Sequence, residues 1–323
     1  MTSPRATLPL LSDCDNRCVF CAPDGLDDVA PRSLDDVREA LAALRPRHDA
    51  VTFTGGEPTL HPALPDAIAA ARALGFRRVG LQTNGRRLRE PGVAAALRRA
   101  GLTDVHVSLH GAVAALHDHH TGVEGSFTEA TAGLGAAVHA GITAIVTTVL
   151  TRSNARSLGA LAPWLSAHGV AAWTVAVPRT VGRLRAHFDP VFPRLALSLP
   201  YALHALTAAR GRDVAVFLHG APLCLLGPFA ARSLPAAPRS FHAVRCEGCP
   251  ARAACPGVDA RYLQRFDGDE LAASRAPATS TQPFTPRDEA LAAAFVGEGP
   301  GAADAGALES PPPPARVALP VVR

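Results

Sequence analysis

Seven cysteines fall into two groups whose spacings suit metal ligands. Cys14, Cys18 and Cys21 stand in a C-x3-C-x2-C run directly after the apolar stretch 6–12, which reads as a short strand, so three thiols share one tight loop at a strand end. Three thiolates this close can ligate three irons of a cubane iron-sulfur cluster and leave the fourth iron open to a small molecule. A structural zinc is the alternative reading, but it calls for a fourth Cys or His nearby, and none follows before His48. The second group, Cys224, Cys246, Cys249 and Cys255, is spaced C-x21-C-x2-C-x5-C. Four thiolates complete a coordination sphere, so this site reads as a closed [4Fe-4S] cluster or a structural zinc. An odd number of cysteines grouped in this way fits metal ligation in a reducing compartment better than a disulfide framework.

Another polar motif lies between the groups. Residues 51–58 read as a buried strand breaking into the turn Gly55-Gly56-Glu57-Pro58. The glycines let the backbone approach a ligand closely, and Glu57 offers a carboxylate to an ammonium group.

The elements that must position these groups alternate. Strands are expected over 6–12, 50–54, 78–83, 104–109, 144–150 and 171–177, and helices over 33–44, 64–74, 91–100, 126–140 and 157–168. Ser33 is the expected N-cap of the first helix, with Asp36 at the capping-box position. Such alternation predicts a parallel sheet with right-handed crossovers. The fold class is α/β: a partial (β/α)6 TIM-like barrel with a small C-terminal cysteine-rich domain. The polar candidates all fall on loops that follow strands, where barrel enzymes keep their chemistry. The cysteines follow the first strand and Gly-Gly-Glu the second. Thr83-Asn84-Gly85 ends the third, Ser108-Leu109-His110-Gly111 the fourth, Asn154 follows the fifth and Pro178-Arg179 ends the sixth. His110, Arg179 and His219 are candidates to line the cavity, or ordinary strand-end residues.

The chain is long enough, at 323 residues and 48% hydrophobic, for one large domain and a small one. We divide it into a barrel over 1–180, a cysteine-rich domain over 181–275 with its own helix at 199–209 and strand at 213–217, and a disordered Ala-, Pro- and Gly-rich tail over 276–323. The net charge of +4 is scattered, so neither nucleic acid nor an anionic membrane is an expected partner. The sequence carries no signal peptide and no bilayer-length apolar run, which predicts a cytoplasmic protein. It contains no lysine, which excludes Schiff-base chemistry on a lysine.

The cysteine loop, with Phe20 before its last cysteine, together with Gly55-Gly56-Glu57 resembles the signature of the radical SAM superfamily, and the resemblance covers about residues 6–270. It implies that Cys14, Cys18 and Cys21 hold a [4Fe-4S] cluster that binds S-adenosyl-L-methionine (SAM). It further implies that Gly55, Gly56 and Glu57 receive the amino group of SAM, and that Asn84 belongs to the Thr-Asn-Gly of the third strand. Ser108 would meet the methionyl carboxylate or the ribose, and Asn154 the ribose or adenine. Taken by themselves, Asn84-Gly85 is also a common turn pair, Ser108 a strand-end cap and Asn154 a cap for the helix near 157. The run His117-Asp118, Gly122 and Gly125-Ser126-Phe127 is similar to one found in many members. Its histidine spacing suits a metal poorly, and we expect a solvated loop with Ser126 as the N-cap of the next helix.

The C-x2-C-x5-C core is similar to part of the SPASM region of radical SAM peptide-modifying enzymes. Four cysteines match the shorter single-cluster twitch arrangement better than the full seven. The resemblance therefore implies an enzyme that cleaves SAM reductively to a 5′-deoxyadenosyl radical and abstracts a substrate hydrogen. The leading expectation is oxidative modification of a peptide or peptide-like natural-product precursor, with an auxiliary [4Fe-4S] cluster and an electron donor such as a flavodoxin or ferredoxin. One alternative is a radical SAM enzyme on a small metabolite with a structural second metal site. Another, from a different class, is a non-catalytic iron-sulfur electron carrier or scaffold, which would have no use for Glu57. Methyl transfer is disfavoured because no cysteine is left to carry the group and no cobalamin domain precedes the barrel. The C-terminal Gly-Gly of the molybdopterin-pathway GTP cyclase is absent too, and the short stretch before Cys14 leads us to expect no fused leader-recognition domain.

Overall fold

The computed structural model describes residues 5–21, 30–274 and 284–295. Its framework is one sheet of eight parallel strands in sequential order. The chain runs β1 (Ala6–Pro9), α1 (Leu34–Leu44), β2 (Ala50–Thr54), α2 (Leu64–Ala73), β3 (Arg78–Thr83), α3 (Val93–Ala100) and β4 (Asp104–Ser108). It continues with α4 (Ala114–Thr121), α5 (Ser126–His139), β5 (Thr143–Val149), α6 (Leu161–Ala167), β6 (Ala172–Ala176), α7 (Phe188–Val191) and α8 (Leu195–Arg210). Last come β7 (Ala215–His219), β8 (Ser233–Leu234), α9 (Ala260–Phe266) and α10 (Pro286–Ala292). The sheet curls into a partial barrel whose edges, β1 and β8, are not paired with each other among the described residues.

Capping and periodicity account for much of this. Ser33 accepts from the Asp36 amide while the Asp36 carboxylate accepts from the Ser33 amide, the expected capping box of α1. β2 is buried over residues 50–53 and β3 over 79–81, as strands covered on both faces require. In β5 to β7 alternate side chains serve two apolar clusters. Ala144, Val146, Trp173, Val175, Val216 and Leu218 join the main core under the helices, whereas Ile145, Ala172, Ala215 and Phe217 line the inside.

Two expectations need correction. The strand placed in the second domain at 213–217 is β7, which pairs in parallel with β6 and extends the barrel sheet, followed by the two-residue β8. The tail is not wholly without structure. Residues 275–283 and 296–323 lie outside the described residues, but α10 is a helix with Thr285 as N-cap and Asp288 completing a capping box. Its few apolar residues, Leu291 among them, pack inside the barrel, a long-range partner that local composition does not reveal.

At the base of the barrel a buried ion cluster replaces apolar packing. Asp104 is fully buried and meets Arg5 at 2.9 Å, itself 3% exposed, with His106 Nε2 at 3.2 Å and Arg78 further out at 3.7 Å. Gly80 makes room for it: a Cβ there would lie within 2.7 Å of Arg5, Asp104 and Thr52 side-chain atoms. Asp104 is held well below the usual carboxylate range, because the His106 and Arg5 contacts outweigh burial. Asp104→Ala strands the Arg5 charge, and we expect a loss of roughly 3–5 kcal/mol in denaturant unfolding at pH 7. The depressed pKa makes the carboxylate's contribution complete above about pH 4 and lost only as pH falls towards the folded-state value.

Candidate functional site

The cysteine loop is fixed from three sides. Beneath it, the Gly56 amide donates to Leu11 O at 2.8 Å and the Glu57 amide to Asp13 O at 2.7 Å. A Cβ on Gly56 would sit 2.1 Å from Asp13 O, and one on Gly55, at φ 126°, would sit 2.3 Å from Leu11 O. The two glycines thus admit the loop itself, a closer constraint than the ligand approach expected of them.

On one flank, Asn84 Nδ2 donates to Asp15 Oδ1 at 2.6 Å. Arg86 Nη1 donates to Asp15 O at 2.7 Å and Asn16 Oδ1 at 3.1 Å, while its Nε pairs with Glu129 at 2.6 Å. On the other flank the loop caps α4: the Arg17 amide donates to Thr121 O at 2.7 Å and the Val19 amide to His120 O at 3.1 Å. Sequence reasoning missed Asp15, Arg86 and Glu129. Their partners lie 43 to 71 residues away, and only the position of Arg86 directly after Thr-Asn-Gly hinted at a role.

Glu57 is 1% exposed. Its Oε1 accepts from the Thr59 amide at 3.0 Å and from the Thr59 and Thr83 hydroxyls at 2.6 Å, and its Oε2 accepts from the Asn84 amide at 2.6 Å. Burial raises its pKa and these four donors oppose the rise. The carboxylate joins the ends of β2 and β3.

The expected solvated loop at 117–120 is the helix α4. His117 and His120, three residues apart, share its inward face and are buried. Asp118 faces the other way and caps α5, accepting from the Gly125 and Phe127 amides and the Ser126 hydroxyl, each at 2.8 Å. Gly125, not Ser126, is the N-cap, and Ser126 is itself a donor to the acidic cap. Carbonyl oxygens only accept, so His120 Nδ1 donates to Leu116 O at 2.6 Å and its Nε2 accepts from Thr151 at 2.7 Å. His110, at the end of β4, stacks on His117 with centroids 5.6 Å apart and meets the edge of Phe20 at 4.6 Å. Burial lowers all three histidine pKa values, that of His117 to about 4.

Ser108 is half-buried at the end of β4, opposite Thr147. Asn154 is fully buried and both ends of its amide are engaged: Oδ1 accepts from Thr151 N at 2.8 Å, and Nδ2 donates to Val149 O at 2.8 Å and His110 O at 3.2 Å. It clamps the loops after β4 and β5, with no exposed atom through which to meet a cofactor in this conformation. Arg179 and His219 stand after β6 and at the end of β7.

The three thiols of the first group fit a cluster held at one turn. Asn16 N donates to Cys14 Sγ at 3.4 Å, and Cys21 N to Cys18 O at 3.1 Å closes the turn. Burial, reinforced at Cys14 by Glu57 and Asp15 and at Cys18 by the neighbouring thiols, pushes Cys14 up to about 11 and Cys18 up to about 12, so iron must displace their protons on binding.

Residues 8–162 match the model of the Radical SAM superfamily. The chain carries a radical SAM domain. GTP 3′,8-cyclase of Cronobacter sakazakii is 34% identical over 166 residues, 49% of this chain and 50% of that protein. A 7,8-dihydro-6-hydroxymethylpterin dimethyltransferase of Methanocaldococcus jannaschii is 31% identical over 115 residues, 34% of this chain and 23% of that one. The chain therefore matches half or less of these curated relatives. Among solved structures, Streptococcus suis SuiB bound to precursor peptide SuiA superposes with a TM-score of 0.57 at 15% identity, over 67% of this chain and 49% of that one. The protein anSMEcpe with bound AdoMet and a peptide gives 0.53 at 15% identity, over 66% and 62%. Coproporphyrinogen III oxidase of Escherichia coli, a radical SAM enzyme, gives 0.50 at 13% identity, over 65% and 53%. These likenesses establish the partial-barrel fold. No helix among the described residues is long and apolar enough to cross a membrane.

Two outcomes follow for the radical SAM domain. Arg86→Ala should weaken iron retention at the first site roughly ten- to a hundredfold in an anaerobic chelator challenge, with Arg86→Lys between it and wild type. His117 is neutral when folded and titrates near 6.5 when unfolded, so its contribution is present above that pH and is lost as pH falls towards 4. Unfolding stability should drop by about 2 kcal/mol from this group between pH 7 and pH 5, and His117→Gln should flatten that part of the profile.

Proposed function

We propose that the protein is a two-cluster radical SAM enzyme that oxidatively modifies a peptide or peptide-like precursor. The observation that carries this reading is the convergence of the four remaining cysteines. Cys224, Cys246, Cys249 and Cys255 all line one pocket with Phe241, His242 and Leu271. Backbone amides are already directed at the sulfurs: Leu223 and Gly257 donate to Cys255 Sγ at 3.5 and 3.4 Å, and Ser274 donates to Cys249 Sγ at 3.4 Å. Such bonds tune an iron-sulfur centre.

The cysteine-rich region shares the barrel's core. Ala251, Val258, Tyr262 and Leu271 pack with it, Tyr262 Oη accepts from the Leu195 amide at 2.9 Å, and Thr180 N donates to Asp259 Oδ2 at 2.8 Å. In this reading the cysteine-rich segment that follows β8, together with Cys224, is a SPASM- or twitch-like module whose cluster is held against the barrel. When bound, the first cluster and SAM supply a 5′-deoxyadenosyl radical. Gly55, Gly56, Asn84 and Ser108 stand at the strand ends to bind SAM, and Glu57 holds that surface in shape. Water must be kept from such a radical, and the buried histidine, Phe20 and Thr151 surface between β4 and β5 provides a dry wall. The structures that superpose with bound peptides support a peptide substrate.

A second reading, a small-metabolite substrate with a structural zinc in the C-terminal region, is favoured by the sequence relatives, whose names specify GTP and a pterin. Anaerobic reconstitution separates the two. About eight irons per chain, falling to about four in a Cys14/Cys18/Cys21→Ala variant, with 5′-deoxyadenosine formed from SAM and reductant, is the expected result. About four irons falling to none, with bound zinc, transfers the assignment to the second reading.

A further inference from the structure

The inner face of the barrel already holds an occupant from the chain itself. Residues 284–295 lie along β7: Phe284 meets Phe217 edge-on at 5.7 Å, and Phe295 lies 4.9 Å from the His219 ring at the strand's end. Leu291 and Ala294 form one buried cluster with Ile145, Ala172, Ala215 and Phe217.

The segment is also fastened at both sides of the open seam. Arg5, just before β1, donates to Ala294 O at 2.8 Å, and Arg78, at the start of β3, donates to Ala290 O. Ala290 O is one of the carbonyls that the C-terminus of α10 leaves without a helical partner, Ala294 O lies just past that end, and both arginines are held by Asp104. Across the gap, Arg232, 5% exposed, pairs with Asp288 at 3.0 Å and lies over the Phe284 ring at 4.9 Å, while Arg287 pairs with Asp213.

We propose that residues 284–295 are the floor and closing wall of the reaction chamber, and so determine how deep a substrate group can enter. Small inward residues along the strands, Ala172 and Ala215, leave room for the segment rather than for substrate. What remains is the upper ring at the strand ends, which takes a compact group inserted from that face, such as one side chain. This rests on the radical SAM reading for the identity of the chamber, and it assigns the segment a second consequence: solutes are barred from a radical formed above it.

The test uses full-length, cluster-loaded protein. Ala215→Cys places a thiol beneath the segment, and its alkylation by iodoacetamide is followed at the peptide level with and without Leu291→Asp. Alkylation should be at least tenfold faster with Leu291→Asp, and equal rates overturn the proposal. Leu291→Ala should give the same ordering, more weakly, and decides the matter should the aspartate variant lose iron. In parallel, SAM is cleaved with dithionite in perdeuterated glycerol, where a radical reaching solute breaks a glycerol C–D bond and forms a C–D bond at the 5′ carbon. Monodeuterated 5′-deoxyadenosine should rise severalfold in the Leu291→Asp protein over wild type. An unchanged deuterium content alongside faster alkylation overturns the chamber assignment. No 5′-deoxyadenosine from either protein overturns the radical SAM reading and the chamber assignment with it, while alkylation still decides whether the segment covers the strand.

Discussion

The buried carboxylate of Glu57 is the constraint on which the candidate site depends. A charge taken out of water must be met by donors, and here they come from Thr59 on its own turn and from Thr83 and Asn84 at the end of the next strand. Satisfying that charge fixes the backbone at Asn84, whose side chain then reaches Asp15, and aligns Arg86 with the cysteine loop. The loop after β1 is therefore positioned by groups that follow β2 and β3, through hydrogen bonds rather than apolar packing. That suits a turn that must present three thiols at a surface, because directional bonds specify a geometry that burial alone does not.

Most of the fold was legible where the signal is local. β2 and β3 span the residues expected of them, 50–54 and 78–83, and the Ser33 capping box marks the start of α1. Periodicity failed where a short element draws its stability from distant partners. β8 has two residues and no pattern to detect, and α4 alternates histidines with polar residues, so its inward face emerges only once Thr151 and Phe20 surround it. The same limit hid α10, whose Ala-rich stretch resembles the tail around it until the barrel supplies a socket. At the site itself the thiols and the Gly-Gly-Glu turn were readable by type and spacing, whereas Asp15, Arg86 and Glu129 were not. Their work is to bridge segments far apart in sequence, which a single chain of letters does not encode locally.

The two cysteine groups are held in different ways. The first lies on a turn whose geometry is imposed from outside by α4, Arg86 and the glycines, with Cys14 exposed and Cys18 and Cys21 half-buried. The second lines one pocket, its four cysteines half-buried and Cys224, Cys249 and Cys255 packed against the main core.

A sheet that closes on itself through backbone hydrogen bonds has a circumference fixed by strand number and register. This one is bridged instead by arginine side chains and one short helix, between edges that share no ladder among the described residues. Its girth is therefore set by replaceable side-chain contacts. A lineage of such proteins can widen or narrow the interior by exchanging the dozen residues 284–295 while the eight strands, and everything mounted on their ends, stay as they are.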